Sequence, residues 1–287
     1  MKFTKVHGLG NDFIILNGFD EEEYIPSKLY RELAVKLCDR HFGIGADGMM
    51  LVLPSARADI RMRIINSDGS EAEMCGNGIR CFARYVYEKG IVRKETMTIE
   101  TLAGILVPRM ILDEAGRVVA VEVDMGEPIL EKSEIPMVGE GSAINESIQI
   151  EEQTFAVTAV SMGNPHCVIF VEDGENFPVA FWGPRIEKSA YFPRKTNVEF
   201  VQIVNESEVI MRVWERGAAV TLACGTGACA TTVACVLNEK TNRAITVHLD
   251  GGDLRVRWDS DSNHLFMTGP AEVVFEGNFV LEAMLHE

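Results

Sequence analysis

The chain has 287 residues, 47% hydrophobic and 24% charged, and its 27 Lys and Arg stand against 43 Asp and Glu for a net charge of −16. That balance supplies a sizeable core and excludes wholesale disorder, and the length alone predicts two domains. The acidity argues against nucleic acid and against an anionic membrane surface, both of which require concentrated Lys and Arg.

In chain order, Lys5, His7, Asn11 and Asp12 interrupt any apolar leader, so a soluble cytoplasmic protein is expected. Over residues 25–42, Leu29, Leu33 and Leu37 recur every fourth position and predict an amphipathic helix. Gly43-Ile44-Gly45-Ala46-Asp47-Gly48 has the spacing of a dinucleotide-binding turn. That turn works only between a strand and a following helix, whereas here a helix precedes and an apolar run follows. A plain helix-to-strand turn is expected. After Cys75, the residues Ile79, Phe82, Ala83 and Val86 form one face of a second helix, closed by Lys89 and Gly90. Residues 217–238 carry no charge and could be mistaken for a membrane span. Glycines, threonines and an internal Cys-Gly-Thr-Gly predict instead a strand, a tight turn and a helix apolar nearly all round, buried at the centre of its domain. Short β-branched runs at 60–65, 97–100, 118–123, 157–160, 167–171, 209–213, 245–249 and 272–275 predict strands in mostly antiparallel sheets.

The chain is written twice. Met62-Arg63-Ile64-Ile65-Asn66 has a counterpart in Met211-Arg212-Val213-Trp214-Glu215, and Cys75-Gly76-Asn77-Gly78 one in Cys224-Gly225-Thr226-Gly227, both 149 positions on. Thr98-Ile99-Glu100 and Thr246-Val247-His248 follow in order, as do the earlier pair Gly10-Asn11-Asp12-Phe13 and Gly163-Asn164-Pro165-His166. The expectation is an α+β fold of two similar lobes, 1–123 and 124–270, each a mostly antiparallel sheet wrapped around a central helix. Residues 271–287 are expected to return as a final strand to the first lobe.

The 7 cysteines include no Cys-x-x-Cys pair, so neither a disulfide framework nor a zinc ribbon fits, and most are read as small buried hydrophobes. Cys75 and Cys224 differ, because each precedes Gly-x-Gly at a helix start. Unpaired N–H groups and the positive helix end favour an anion there, and the same field is expected to lower the thiol's pKa. A substrate carbon held between two such thiols could lose a proton to one and gain a proton from the other, which inverts its configuration.

At these residues the sequence resembles the diaminopimelate epimerase family of cofactor-independent amino-acid epimerases. The resemblance is carried by Gly8-Leu9-Gly10-Asn11-Asp12-Phe13, Arg40-His41-Phe42-Gly43-Ile44-Gly45-Ala46-Asp47-Gly48, Asn66-Ser67-Asp68-Gly69-Ser70 and Met74-Cys75-Gly76-Asn77-Gly78. It continues in Gly163-Asn164-Pro165-His166, Thr196-Asn197-Val198-Glu199-Phe200, Trp214-Glu215-Arg216-Gly217 and Ala223-Cys224-Gly225-Thr226-Gly227. The resemblance implies interconversion of L,L- and meso-diaminopimelate, on the route to lysine and peptidoglycan precursors, with no cofactor and no metal. It implies Cys75 and Cys224 as the acid–base pair, labelled donor and acceptor respectively, with roles exchanging with direction. Gly76, Asn77, Gly225 and Thr226 would hold the carboxylate at the reacting carbon. Asn11, Asn66, Asn164, Asn197 and Arg216 would read the distal end, and Glu215 would accept from an ammonium. His166 and Glu215 would modulate the thiol pKa values. The implied assembly is a homodimer, with the strand near Phe275 in the contact. One departure is Gly48, where many members carry a substrate-touching Gln. Proline racemase shares the cysteine pair, but His would be expected where Asn77 stands. A silent binding protein would not need both cysteines, and a thiol hydrolase built on His166 would need only one.

Overall fold

The run Phe13-Ile14-Ile15-Leu16 lacks polar alternation because its strand is buried on both faces. That arrangement holds for both halves of the chain. The computed structural model describes residues 1–19 and 25–285. Two units divide the chain, Met1–Val123 with Gly269–Glu287, and Asp124–Thr268.

The first unit contains β1 (Lys2–Gly8), β2 (Asn11–Asn17), α1 (Tyr30–Cys38), β3 (Gly48–Leu53), β4 (Ile60–Asn66), β5 (Glu71–Ala72) and α2 (Gly76–Glu88). These are followed by β6 (Ile99–Thr101), β7 (Gly104–Leu106) and the hairpin β8 (Arg109–Leu112) and β9 (Val118–Asp124). The sheet runs from the C-terminal strand Glu272–Asn278 through β1, β2, β3, β4 and β6 to β7, with β5 on β4. Neighbours are antiparallel except β2 with β3, joined by α1, and β4 with β6, joined by α2. Strand alternation sends Ile14, Met49, Leu51 and Ile65 to the α1 face, against Leu33, Ala34 and Leu37. Ile79, Phe82, Ala83 and Val86 of α2 are fully buried, and α2 packs on β1, β2 and β3.

Helix α1 is shorter than the periodicity predicts. Residues 27–29 form a single 3-10 turn after Pro26, and the helix stops at Cys38 because Asp39 leaves helical backbone. The N–H groups of Ile44 and Gly45 then bond the Leu37 carbonyl, and that of Ala46 bonds the Cys38 carbonyl. The glycine run is therefore a helix stop feeding β3. A Cβ on Gly43 would sit 2.2 Å from the Lys36 carbonyl oxygen, and Gly45 has φ +80°.

The second unit contains β10 (Glu146–Ile150), β11 (Gln153–Ser161), β12 (Pro165–Phe170), α3 (Val179–Glu187), β13 (Asn197–Asn205), β14 (Glu208–Glu215) and β15 (Ala219–Thr221). It continues through α4 (Gly225–Leu237), β16 (Ala244–Leu249), β17 (Gly252–Trp258) and β18 (Leu265–Gly269). The returning strand of the first unit is β19 (Glu272–Asn278), followed by α5 (Leu281–Leu285). The order β10-β11-β12-β13-β14-β16-β17, with β15 on β14, repeats the first sheet's plan, and β18 follows beyond β17. Its parallel pairs fall at the equivalent places, β12 with β13 across α3 and β14 with β16 across α4. The duplicated motifs land on equivalent elements: β2 and β12, β4 and β14, the starts of α2 and α4, and β6 and β16. As expected, 217–238 forms a strand, a turn and a helix, and α4 packs on β11 to β14, β16 and β17. Among the described residues no helix is long and apolar enough to cross a membrane.

Each sheet carries a second helix on its other face, α1 and α3. Helix α3 is hidden in the sequence by Pro178, Gly183 and Pro184, which read as loop signals. Gly183 is needed there because a Cβ would meet the Trp214 side chain at 2.5 Å.

Candidate active site

The two helix starts are built alike. Cys75 is the N-cap of α2, with φ −142° and ψ 121°, and its Sγ accepts from the Gly78 N–H at 3.4 Å. Cys224 is the N-cap of α4, with φ −126° and ψ 111°, and its Sγ accepts from the Gly227 N–H at 3.4 Å. The cap carbonyls take the N–H groups of Ile79 and Ala228 at 2.8 and 3.0 Å. The sulfur thus replaces the oxygen of a Ser or Asp cap. The first-turn N–H groups of Gly76 and Asn77, and of Gly225 and Thr226, have no partner within their helices.

In the first unit the Cys75 thiol donates to Asn11 Oδ1 at 3.4 Å, and Asn77 Nδ2 donates to the same oxygen at 3.4 Å. Asn11 Nδ2 is anchored on Asp47 at 2.8 Å. Asp47 shares Arg40 with Asp12, whose carboxylate also pairs with Lys5 at 2.6 Å. Burial alone would raise the Asp12 pKa, but hydrogen bonds from Arg40 and Lys5 hold it down to about 2. The fully buried Arg80 donates to the Gly76 carbonyl at 3.0 Å and to Asn77 Oδ1 at 2.8 Å, fixing the helix start. Asn66, at the end of β4, donates to Ser70 Oγ at 2.9 Å in a tight turn. The Ser67 N–H of that turn bonds the Asp47 carbonyl, which ties the turn to Asn11's anchor. Asn11, Cys75, Gly76 and Asn77 form one cluster, and Asn66 stands one step outside it.

In the second unit strand alternation places His166, Glu199 and Glu215 on the α4 face, while Cys167, Val198, Phe200 and Trp214 pack with α3. His166 Nδ1 lies 2.7 Å from Glu199 Oε1, and His166 Nε2 lies 3.0 Å from Asn164 Oδ1. Asn164 Nδ2 donates to Thr226 Oγ1 at 3.3 Å, and that hydroxyl is 3.6 Å from Cys224 Sγ. Glu215 accepts from the Thr221 hydroxyl. Asn197, buried beside His166 in the parallel pair, donates to the Pro165 carbonyl at 2.9 Å and accepts from the Arg216 N–H at 2.8 Å. Its side chain is thereby spent on shaping the turn that presents Arg216, whose exposed guanidinium bonds the Arg194 carbonyl at 3.2 Å.

The expectation of a lowered thiol pKa fails at Cys224. The residue is 4% exposed; burial, then the carboxylate of Glu215, push the thiol well above its ordinary value. The Thr226 hydroxyl and the Gly227 N–H act the other way and do not overcome this. A helix start favours an anion, but a dry pocket beside the Glu215 carboxylate outweighs it. Of the other cysteines, Cys38, Cys81, Cys167, Cys229 and Cys235 are buried, as expected for structural thiols. Burial pushes Cys38, Cys81 and Cys235 to about 12. Among the described residues no group of three or more His, Cys, Asp or Glu is placed to hold a metal ion.

Glu199 is the site residue that the sequence reading passed over, although the quoted Thr196–Phe200 motif contains it. The available signal was one carboxylate inside the apolar run Val198 to Val201 of β13.

The residue pattern of the diaminopimelate epimerase family matches positions 3–131 and 158–274. A diaminopimelate epimerase from Heliobacterium modesticaldum is 58% identical over 282 residues, covering 98% of this chain and 100% of that protein. One from Methanococcus maripaludis is 53% identical, covering 96% and 99%. The chain belongs to the diaminopimelate epimerase family. The same fold is found in a probable proline racemase from Agrobacterium radiobacter, at TM-score 0.69 and 14% identity, covering 98% of this chain and 93% of that one. A phenazine biosynthesis protein from Bacillus anthracis matches at TM-score 0.67 and 17% identity, covering 98% and 99%. In this member of the epimerase family Gly48 is confined: a Cβ there would lie 3.1 Å from the Ile65 carbonyl oxygen and 3.4 Å from the Phe13 ring.

The second glycine of each Cys-Gly-x-Gly tests how the two floors differ. A Cβ on Gly227 would lie 2.8 Å from Glu199 Oε1, whereas on Gly78 it would meet Cys75 Cβ at 3.3 Å and Met50 Sδ at 3.5 Å. Gly227→Ala is expected to cost about 1–3 kcal/mol in urea unfolding, and Gly78→Ala less than about 1 kcal/mol. Equal costs would contradict this reading.

Proposed function

We propose that the chain epimerises L,L-diaminopimelate to meso-diaminopimelate, a step towards lysine and peptidoglycan precursors, with Cys75 and Cys224 as the two acid–base groups. The observation that carries this is the pair of cysteine-capped helix starts, each offering one sulfur beside two outward N–H donors. Inversion at carbon needs one group to remove a proton and another to return one to the opposite face, so turnover requires both half-sites on one substrate. N–H donors at the helix starts suit the α-carboxylate and the negative charge that grows as the proton leaves. Arg216 suits the distal carboxylate and Glu215 an ammonium. Cys224, held as the thiol, has a proton to give; Cys75 then removes the substrate's proton, and the roles reverse in the other direction.

The proposed reaction draws on no cofactor and no metal. The biosynthetic role suits the cytoplasm. For assembly we propose a homodimer through β19, an edge strand bearing the exposed side chains of Val274 and Phe275. Phe275→Asp should convert a dimer to a monomer in sedimentation velocity, and an unchanged sedimentation coefficient would refute that contact.

For the chemistry, purified protein without added cofactor should convert L,L- to meso-diaminopimelate. Cys75→Ala and Cys224→Ala should each lower kcat by at least about 10²-fold with the fold intact by circular dichroism. Full activity in either variant would overturn the two-thiol scheme.

A further inference from the structure

The two repeats share a backbone but differ in what lies under the helix start. Beneath Gly78 stands Met50, and at the equivalent place beneath Gly227 stands Glu199. The neighbouring strand position is Phe13 in β2 and His166 in β12, each paired with the first residue of the next strand, Gly48 or Asn197. An acid and an imidazole have taken the place of two apolar side chains, both fully buried. Such a replacement carries a desolvation cost, and the contacts made by the pair indicate what offsets it.

The hydrogen bonds have a direction. Asn164 gives its Nδ2 protons to Thr226, so its Oδ1 must accept, and His166 Nε2 must carry a proton. In a neutral imidazole Nδ1 is then an acceptor, and the 2.7 Å contact to Glu199 Oε1 requires the carboxyl group to donate. Glu199 Oε2 has no hydrogen-bond partner, which a carbonyl oxygen of a neutral acid tolerates far better than half of a buried carboxylate does. Burial raises the Glu199 pKa, and Glu215 adds to this, while His166 opposes it. The ionisable groups around the carboxyl group are His166 and Cys167 on β12, Glu215 on β14 and Cys224 at the start of α4. At the far end, the Thr226 oxygen accepts from Asn164 and lies 3.6 Å from the Cys224 sulfur, a contact in which either group can donate; once the sulfur is a thiolate, only the Thr226 hydroxyl can.

We propose that Glu199 is a positioning residue for Cys224: as the neutral acid it fixes the Nε2–H tautomer of His166, which through Asn164 turns the Thr226 hydroxyl proton onto the sulfur. No proton travels along this chain. Its work is to hold one O–H donor, beside the Gly227 N–H, where charge appears on sulfur when Cys224 gives up its proton. The first repeat has no such chain, because Met50 and Phe13 cannot form it. The inference rests on Cys224 as an acid–base group and extends that reading to how the thiol is prepared.

The test joins a spectroscopic measurement to kinetics. Full-length protein labelled with 15N at histidine should show His166, identified by its loss in His166→Gln, with a protonated Nε2 and an unprotonated Nδ1 near neutral pH. Glu199→Gln, whose amide can also donate to Nδ1, should keep that signature and rescue the loss seen in Glu199→Met. Glu199→Met should lower kcat about tenfold, the size of one well-placed hydrogen bond, with little change in KM. Two protonated ring nitrogens in the wild type would mean an ionised Glu199 and overturn the proposal. So would Glu199→Gln as slow as Glu199→Met. The nitrogen spectrum does not depend on turnover, so failure of the wild type to epimerise diaminopimelate would strike the functional reading and leave the relay standing on its own spectrum.

Discussion

Everything distinctive about this molecule depends on a cysteine acting as a helix N-cap. A sulfur in that position accepts from the third N–H of the helix and leaves the first two N–H groups without a partner inside the helix. It also ties a thiol to a packed part of each unit, because α2 and α4 are buried among the strands. The glycines follow from the same constraint. Gly227 leans on a carboxyl group and Gly78 on a thioether, and in both places the helix must approach the sheet closely. Duplicating one such unit provides two thiols with nearly the same local backbone.

Identical backbone does not mean identical chemistry. In the first unit the buried charge beside the helix start is a cation, Arg80, spent on the Gly76 carbonyl and Asn77. In the second, the corresponding surroundings hold His166, Glu199 and Glu215, and Cys224 is nine-tenths or more out of water. Low exposure and the Glu215 carboxylate favour the thiol, while the Thr226 hydroxyl and the Gly227 N–H soften the cost of the thiolate. The balance favours the protonated thiol at Cys224.

Much of the architecture was legible because it was written twice. Four motif pairs at near-constant spacing pointed to the duplication, and they fall on equivalent strands and helix starts. The apolar character of residues 228–237 announced a buried helix, and α4 is that helix. What the residues concealed has physical causes. Helix α3 contains Pro184 and begins after Pro178, so local signals read as loop while packing against Trp214 enforced the helix. Helix α1 ended early because carbonyl capping by Ile44, Gly45 and Ala46 prevailed over leucine periodicity. At the site, residue type and spacing identified the cysteines, but the sign of the Cys224 shift depends on burial, which no spacing reveals. Glu199 was overlooked for a related reason: a lone carboxylate in an apolar strand becomes informative only when its neighbours are known.

The most direct measurement of the central claim is where solvent hydrogen enters during turnover. With L,L-diaminopimelate in D₂O, two monoprotic thiols predict meso product bearing deuterium at the inverted α-carbon, while L,L substrate recovered early remains almost free of deuterium. Deuterium appearing in recovered substrate as fast as in product would mean one base serving both faces, and would contradict the account.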